Sequence, residues 1–355
     1  MSADATANMN EADQVMMNFT FPAGVHASSM TWFDETGDQL IDWPVQRKHL
    51  EFLVMCGVHG IVLADSVGEG FALDTSEKGQ LVRLAREVAV EYGRPDMPLT
   101  VGCGGLSLSQ TLRDADMAGE QGADFILVSL PRLFSPVMTR QAIRSFFIQA
   151  ADTSAVPVVV YNNPHIPGGF DIDHNVLATL AAHENIVGVK LGCGRVVKVS
   201  RITAELSSSQ FCAIAGNTDW FVPALVVGGS CVISAFANLF PKTCIELFDL
   251  FRAGNLIEAS KAQREVSLAE WAFTRGEVNG MKWAVAQMLS YPLDSSHCRL
   301  PCPEFVDEEM KAWMLVMCGA LEENEARLIQ AGLEAEADTD ADMGAGTEDI
   351  AEDST

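Results

Sequence analysis

The chain has 355 residues, of which 48% are hydrophobic, and its formal net charge is -25 at pH 7. This charge disfavours binding to nucleic acids and anionic membranes, whose phosphates attract clustered lysine and arginine. Charged residues and glycines interrupt every apolar run before it reaches the eighteen or so residues that a membrane-spanning helix needs. Composition therefore predicts a soluble protein with a substantial core, without nucleic-acid or membrane partners.

Nine cysteines are scattered singly along the chain, several of them in apolar runs such as "FCAIAG". This placement is typical of reduced core thiols rather than of a disulfide framework. The first residues, "MSADATANMNEADQV", include acidic residues but no arginine, and they lack the apolar segment of a secretory signal. We therefore expect a cytoplasmic protein.

Short β-branched runs alternate with longer amphipathic stretches between Phe21 and Phe240, a pattern typical of parallel strands joined by helices. The eight predicted strands read "AGVHASSMTWF", "GIVLADS", "PLTVGCG", "DFILVSLP", "VPVVVYNNP", "NIVGVKLGCG", "FCAIAGN" and "SCVISAFAN". The predicted helices between them include Val45–Met55, Thr75–Glu91, Ser107–Gln121, Thr139–Ala151 and Asp173–Ala182. Eight alternations within about 220 residues favour a (β/α)8 TIM barrel. A doubly wound sheet is the alternative, but it usually carries a glycine-rich turn after its first strand, which this chain lacks.

Four further helices are predicted after the eighth strand, at Pro241–Arg252, Asn255–Thr274, Val278–Leu289 and Glu304–Ala331. The first closes the barrel, and the others form a C-terminal helical extension packed on the barrel or on a second subunit. The last residues are rich in carboxylates and contain little to bury, which favours a solvated tail over an interaction segment. The predicted organisation is a disordered segment (1–18), the barrel (19–252), the extension (253–331) and a disordered acidic tail (332–355).

Lys190 is the outstanding polar residue at a strand end, because it closes the apolar run "NIVGVK". Active sites of (β/α)8 barrels lie at the C-terminal ends of the strands, so the amine is predicted at the barrel mouth. Burial there would lower the pKa of the lysine and leave a neutral amine able to attack a carbonyl carbon. A lysine paired with a carboxylate at the strand end is the structural alternative.

Two other strand ends carry groups that suit the same chemistry. Strand five ends in Tyr161, whose phenol could transfer protons beside an amine, although a packing role is the alternative. Strand two ends in "ADSVGEG", where Ser66 offers a hydroxyl. Gly68 and Gly70 would allow a tight turn whose N–H groups face an anion, although glycine turns more often serve only as turns.

Four motifs in the same order along the chain resemble those of a known family. "DSVGEG" follows strand two, "YNNP" follows strand five, and "IVGVKLGCG" and "GGSCVISAFAN" lie on strands six and eight. Together with "NGMKWAVAQ" in the C-terminal helices, they resemble the dihydrodipicolinate synthase and N-acetylneuraminate lyase superfamily from about Phe21 to Pro301. Within that superfamily, the chain looks most similar to 4-hydroxy-2-oxoglutarate and L-threo-3-deoxy-hexulosonate aldolases, especially their fungal forms.

The resemblance implies a class I aldolase that uses neither a metal nor a cofactor and forms a homo-oligomer, a dimer or a tetramer. By this resemblance, Lys190 forms an imine with pyruvate or another 2-oxo acid, and Tyr161 acts as the acid and base. Ser66 and the N–H groups of its turn would hold the substrate carboxylate. Gly216 and Ile233 would line the substrate site through their backbones.

The chain also departs from the family pattern. Val67 lies in the substrate-binding turn, where the family usually has a second hydroxyl or amide. Ile166 lies where the lysine-pathway synthases place an arginine, which argues against dihydrodipicolinate synthesis. Leu133 and Phe134 replace an aromatic pair that includes a tyrosine of the proton relay.

These departures leave several hypotheses open. The relay is shortened to Ser66 and Tyr161, rerouted through His165, or broken. One alternative function is a Schiff-base lyase of the same fold that acts on a specialised biosynthetic keto acid. Another is a non-catalytic barrel that binds a 2-oxo acid. A metal-dependent lyase is disfavoured, because the seven histidines are dispersed along the chain.

Overall fold

The computed structural model describes residues 20–105, 107–166 and 168–334. Eight parallel strands form a closed barrel in chain order, with β1 hydrogen-bonded to both β2 and β8. The strands are β1 (Gly24–Ser28), β2 (Gly60–Leu63), β3 (Leu99–Cys103), β4 (Phe125–Ser129), β5 (Val158–Asn162), β6 (Ile186–Leu191), β7 (Cys212–Ala215) and β8 (Cys231–Ser234). All eight lie within predicted runs, and the predicted (β/α)8 barrel is confirmed.

Helices follow the strands on the outside of the barrel. They are α1 (Trp43–Met55), α2 (Thr75–Glu91), α3 (Leu108–Glu120), α4 (Arg140–Thr153), α5 (His174–Leu180), α6 (Val196–Glu205), α7 (Phe221–Val226) and α8 (Pro241–Arg252). Side-chain caps begin five of them, because oxygens of Asp42, Asp74, Ser107, Thr139 and Asp173 accept N–H bonds from the first helical turn. This local chemistry explains why α2 has its predicted bounds.

The C-terminal extension comprises α9 (Leu256–Arg275), α10 (Glu277–Met288), α11 (Glu308–Gly319) and a further helix over residues 322–334. The single helix predicted at Glu304–Ala331 is wrong. Residues 303–307 have no helical structure, and Asp307 begins α11 by accepting the Met310 N–H. In the last helix, Glu325 is buried and accepts the N–H groups of Lys242 and Thr243, so this helix caps the start of α8.

The predicted boundaries of the barrel and of the two terminal segments stay predictions. The segment predicted to be disordered at the N-terminus, 1–18, lies outside the described residues, as does the predicted tail from residue 335 onward. Within the described ranges, the helix over 322–334 continues past the predicted boundary at Ala331. No described helix has the length and apolar character that a membrane crossing requires.

The apolar core has two layers. The barrel interior is filled by a cluster that includes Val159, Ile214 and Ile233, with Tyr161 packed against it. A larger cluster lies between the strands and the helices. All nine cysteines are free thiols, and eight of them are buried, as their apolar surroundings in the sequence suggest.

A buried carboxyl group, that of Glu270, and a half-buried one, that of Asp219, lie where α9 meets the 3-10 turn at Thr218–Trp220. Burial raises the pKa of Glu270 well above its usual range, and Asp219 beside it raises that pKa further. Burial also raises the pKa of Asp219, to about 6. Neither carboxyl oxygen of Glu270 has a hydrogen-bond partner among the described residues.

These carboxyl groups should make stability depend on pH. A folded-state pKa that is raised stabilises the fold fully below the unfolded-state pKa, and that contribution is lost as pH rises through the folded value. We expect Glu270→Gln to raise the free energy of unfolding at pH 8 by on the order of 1–3 kcal/mol, because it removes a buried ionisable group without a partner. The difference should disappear near pH 4. Thermal melts across this range test the prediction, and Glu265→Gln, on the exposed face of α9, is the matched control. A Glu270→Gln protein that melts like the wild type at every pH would contradict it.

Candidate active site

The turn after β2 brings its backbone very close to two neighbouring segments. A Cβ at Gly70 would lie 1.8 Å from the Ala64 carbonyl oxygen, and a Cβ at Gly102 would lie 2.0 Å from the same atom. Ala64 itself has φ of +52°, which an L-residue rarely adopts. Any side chain at Gly70 or Gly102 would therefore clash with the turn. The turn also holds Ala64 in a strained conformation at the end of β2, and strained residues of this kind cluster at functional sites.

Asp65 follows directly and meets Lys190 from β6. The Lys190 Nζ donates to Asp65 Oδ2 at 2.8 Å, and both side chains are buried, with 3% and 0% of their surfaces exposed. Burial alone would lower the pKa of Lys190, but the Asp65 carboxylate and the Tyr161 phenol raise it above its usual value. The expectation of a neutral amine in the resting protein is therefore wrong. Lys190 is paired with a carboxylate in the resting protein, and its role as the amine that forms the imine stays a prediction.

The Asp65 carboxylate also binds the backbone N–H groups of the strand-two turn, which were expected to be free to bind an anion. Its Oδ1 accepts the Val67 N–H at 3.0 Å and the Gly68 N–H at 3.2 Å. Burial alone would raise the pKa of Asp65, but the Lys190 ammonium and these donors lower it below its usual value. The carboxylate is ionised, and it uses the N–H groups of Val67 and Gly68 itself.

Tyr161 lies beside Lys190 because the two residues are register partners on β5 and β6. The ammonium lies 4.6 Å from the centre of the phenol ring, within the range of a cation–π contact. The phenol oxygen lies 3.2 Å from Ser66 Oγ and accepts the Asn163 Nδ2–H at 3.0 Å. The three predicted catalytic side chains, Lys190, Tyr161 and Ser66, are thus brought together at the barrel mouth.

A cavity of about 810 Å³ opens from this cluster. Asp65, Ser66, Tyr161 and Ile166 are among the residues that line it, whereas Lys190 is not and reaches it only through its contacts with Asp65 and Tyr161. A second buried ion pair, between Lys78 and Asp114 at 2.6 Å, lies along the wall formed by α2 and α3. The cavity has the size of a small-molecule site and combines an apolar wall with a few polar groups at one end.

The C-terminal extension holds the strand-two turn from outside. Glu69 is buried in that turn and accepts the ammonium of Lys282 from α10 at 3.0 Å and the Arg299 N–H at 2.9 Å. Burial lowers the pKa of Lys282, and Glu69 partly offsets this effect. Glu69 is therefore a structural carboxylate, and it makes the extension part of the support for Ser66 and Asp65.

The predicted substrate-binding residues differ in their placement. The Val67 side chain packs against the outer core, and Ile233 is fully buried in the barrel interior. The Gly216 N–H donates to the Leu191 carbonyl. Only Ser66 of the predicted set is among the residues that line the cavity. Substrate contacts by Val67, Gly216 and Ile233 stay predictions.

The contacts of Tyr161 bear on the three hypotheses for the proton relay: a short route through Ser66, a route through His165, or a broken relay. Leu133 and Phe134 are 69% and 46% exposed on the 3-10 turn after β4. The His165 ring bonds to the Cys193 carbonyl at 3.3 Å. The short route, from Tyr161 to Ser66, is the one whose members are in contact. Among the described residues, no group of three or more histidine, cysteine or carboxylate side chains could hold a metal ion.

Sequence reasoning missed Asp65 and Asn163, although both adjoin residues that it selected. Parallel strands of a barrel end at the same mouth, so a carboxylate at the end of β2 is a natural partner for a lysine that ends β6. Asn163 was seen only as part of the "YNNP" motif. Its amide points back to the phenol two residues earlier.

Comparisons with known proteins show the family to which the chain belongs. The model of the dihydrodipicolinate synthetase family matches residues 22–317. A relative from Emericella nidulans, which bears the name of a mitochondrial 4-hydroxy-2-oxoglutarate aldolase, is 32% identical over 297 residues, covering 84% of this chain and 94% of the relative. The L-threo-3-deoxy-hexylosonate aldolase of Hypocrea jecorina is 32% identical over 279 residues, covering 77% of this chain and 88% of that protein.

A crystal structure shows the same fold. It is that of a dihydrodipicolinate synthase family protein from Coccidioides immitis, which superposes with a TM-score of 0.76 at 29% sequence identity. The superposition covers 87% of this chain and 98% of the other. The match therefore includes the barrel and most of the C-terminal extension.

Proposed function

Because the chain belongs to the dihydrodipicolinate synthetase family, we propose that it cleaves or forms the carbon–carbon bond of a 4-hydroxy-2-oxo acid, with pyruvate or a similar 2-oxo acid as one component. The resemblance found in the sequence is confirmed, and the chain is a carbon–carbon lyase of the Schiff-base type. The observation that carries the proposal is the contact of Lys190 with Tyr161 at neighbouring strand ends, because Tyr161 and the Asp65 partner of Lys190 both line the cavity.

In the proposed reaction, the Lys190 amine attacks the carbonyl carbon of the substrate and forms a protonated imine after loss of water. The cationic imine then accepts the electron pair that is released when the bond between C3 and C4 breaks. As the aldehyde leaves, the Tyr161 oxygen takes the proton of the 4-hydroxyl group and the phenol's own proton passes to the carbanion at C3, so Tyr161 is a neutral phenol before and after the step. Ser66, 3.2 Å from the phenol oxygen, shares this proton with Tyr161.

Reduction with borohydride tests the imine directly. Treatment of the protein with pyruvate and borohydride should leave one three-carbon adduct, which peptide mapping places on Lys190. A chelator should leave turnover of a 4-hydroxy-2-oxo acid unchanged. No adduct with any 2-oxo acid would contradict the proposal, as would an adduct on Lys198 or Lys282.

The substrate choice follows from the cavity wall. Ile166 lines the cavity at the position where, by the family resemblance, lysine-pathway enzymes have an arginine, so position 166 offers no cation to an acidic aldehyde; the arginines of the cavity, Arg113 and Arg132, come from other positions. We expect no detectable condensation of pyruvate with aspartate semialdehyde, and release of pyruvate or glyoxylate from 4-hydroxy-2-oxo acids. A coupled assay with lactate dehydrogenase measures pyruvate release. Robust condensation with the semialdehyde would contradict this assignment.

A lyase acting on a specialised keto acid is the second candidate, and the apolar part of the wall favours it. Leu127, Leu130 and Ile166 line the cavity together with Phe71, which is 61% exposed. An aromatic or aliphatic aldehyde component would bury its surface against these side chains. The two candidates can be separated by measuring kcat/KM for 4-hydroxy-2-oxo acids that carry either a polar or an apolar substituent on the fourth carbon. A higher kcat/KM for the apolar substrates would favour the second candidate.

We also propose that the protein is a cytoplasmic homo-oligomer, a dimer or a tetramer. Leu133, Phe134 and Val137 form an exposed apolar patch on the 3-10 turn beside the cavity, and patches of this kind are typical of subunit contacts. Light scattering tests the subunit number. Fractionation of cells tests the location, for which mitochondria are the alternative suggested by the name of the Emericella nidulans relative.

A further inference from the structure

The contacts of Asp65 differ from those of an ordinary turn residue. One carboxylate oxygen, Oδ1, accepts two backbone N–H groups of its own turn, and the other, Oδ2, accepts the ammonium of Lys190 at 2.8 Å. The side chain is fully buried, and Asp65 is among the residues that line the cavity. Oδ1 thus holds the carboxylate in place, and Oδ2 is directed at the atom that forms the imine.

We propose that Asp65 is a catalytic residue, which accepts a proton from Lys190 when the imine forms and then serves as the counter-ion of the cationic imine. The inference rests on the proposed function, which supplies the carbonyl substrate. It adds a partner to Lys190 that the family resemblance did not suggest.

The protons and charges balance along this route. Lys190 begins as an ammonium with three protons on Nζ, and Asp65 begins as a carboxylate. One proton passes to Asp65 Oδ2, and the neutral amine attacks the carbonyl carbon while the carbonyl oxygen takes up a second proton from nitrogen. Asp65 then donates its proton to the hydroxyl group, which leaves as water. The imine nitrogen keeps one proton and one positive charge, and Asp65 is again a carboxylate.

The physical reason for this route is the burial of the pair. Release of a proton from Lys190 to solvent would leave Asp65 as an unpaired buried carboxylate, which is strongly unfavourable. Transfer within the hydrogen bond instead gives a neutral amine and a neutral acid, neither of which carries the desolvation cost of an ion. The cationic imine restores the original charge arrangement, and a fixed carboxylate stabilises it without reorganisation.

The other groups around Lys190 are less suited to this role. Tyr161 is the other ionisable side chain that acts on Lys190, and its phenol oxygen bonds to Ser66 and Asn163. Lys78 and Asp114, farther along the cavity wall, neutralise each other. Arg113 and Arg132 also line the cavity, but they are cations and cannot accept a proton.

Two substitutions separate a proton acceptor from a structural turn residue. Asp65→Asn keeps an oxygen that can accept the turn's N–H groups but removes the base, whereas Asp65→Gly removes the side chain. We expect the rate of adduct formation with pyruvate and borohydride to fall by about 100-fold or more in both variants, in the range typical of a general base. Added formate should restore part of the rate to Asp65→Gly by entering the vacated space, and it should not affect Asp65→Asn.

The pH dependence of the rate of adduct formation gives an independent test, because it can be measured on the wild-type protein. In the wild type the proton moves within the pair, so the rate of adduct formation should be flat between about pH 6 and 8. In Asp65→Asn no carboxylate raises the pKa of Lys190, and the ammonium loses its proton to solvent, so the rate should rise with pH until the amine is neutral. A wild-type rate that rises tenfold per pH unit across this range would overturn the proposal.

Asp114→Asn is the matched control, because it removes the carboxylate of the other buried lysine pair in the same cavity. It should keep the flat pH profile and show no response to formate. If Asp65→Asn forms the adduct at the wild-type rate or faster, Asp65 is only a turn residue and the inference fails while the proposed function stands. If the wild type forms no adduct with any 2-oxo acid, the proposed function fails, and the inference fails with it.

Discussion

Lys190→Ala should abolish both the borohydride adduct with pyruvate and the turnover of 4-hydroxy-2-oxo acids. The substitution removes the amine that forms the imine, and no other described lysine has its Nζ over the Tyr161 ring. Turnover should fall to the background of the assay, since the remaining groups offer no second nucleophile of this kind. Mass spectrometry of the reduced protein and a pyruvate-release assay measure the two effects.

Loss of activity alone would not establish the role of Lys190, because the substitution also leaves Asp65 buried without a partner. Breaking a buried ion pair in this way typically costs about 3–5 kcal/mol of stability. Lys78→Ala is the matched control, since it breaks the Lys78–Asp114 pair, which is equally buried and lies on the wall of the same cavity. The control should be destabilised and still form the adduct. If Lys190→Ala kept the adduct, or if only the control lost it, Lys190 would be a structural lysine.

The barrel could be predicted from the sequence because its signals are local and repeated. Each strand is a short β-branched run, and each of several helices begins with a capping side chain such as Asp74 or Thr139. The last helix was mispredicted because apolar spacing continues across two helices. The break before α11 depends on the Asp307 cap, and the second helix is held by the contact of Glu325 with the start of α8. The second contact joins residues far apart in the chain, so periodicity does not reveal it.

The site could be predicted only in part. Lys190 and Tyr161 were selected as strand ends, and the consecutive order of β5 and β6 places them side by side. The role of Asp65 was missed because the direction of its side chain depends on Ala64, whose φ of +52° no propensity would predict. The pKa of Lys190 was then assigned the wrong direction. Burial was visible in the apolar strand, but the opposing carboxylate comes from another strand.

Tyr161→Phe should lower turnover by about 10²–10⁴-fold, the usual effect of removing a general acid and base. The phenol oxygen is the only part removed, and with it the contacts to Ser66 and Asn163. The ring stays packed against the barrel interior and under the ammonium of Lys190. Each lost hydrogen bond typically costs about 0.5–1.5 kcal/mol, so the variant should remain folded.

The kinetic pattern distinguishes proton transfer from packing. If Tyr161 acts mainly as the base for C–C cleavage, Tyr161→Phe should still form the borohydride adduct with pyruvate, while kcat for cleavage falls and KM changes little. Tyr291→Phe is the matched control, because that phenol is also hydrogen-bonded, to His49 on α1 at 3.3 Å, and Tyr291 is not among the residues that line the cavity. It should lose a comparable amount of stability and keep its turnover. Wild-type turnover in Tyr161→Phe, together with a lowered melting temperature, would make Tyr161 a packing residue and leave Ser66 without a proton partner.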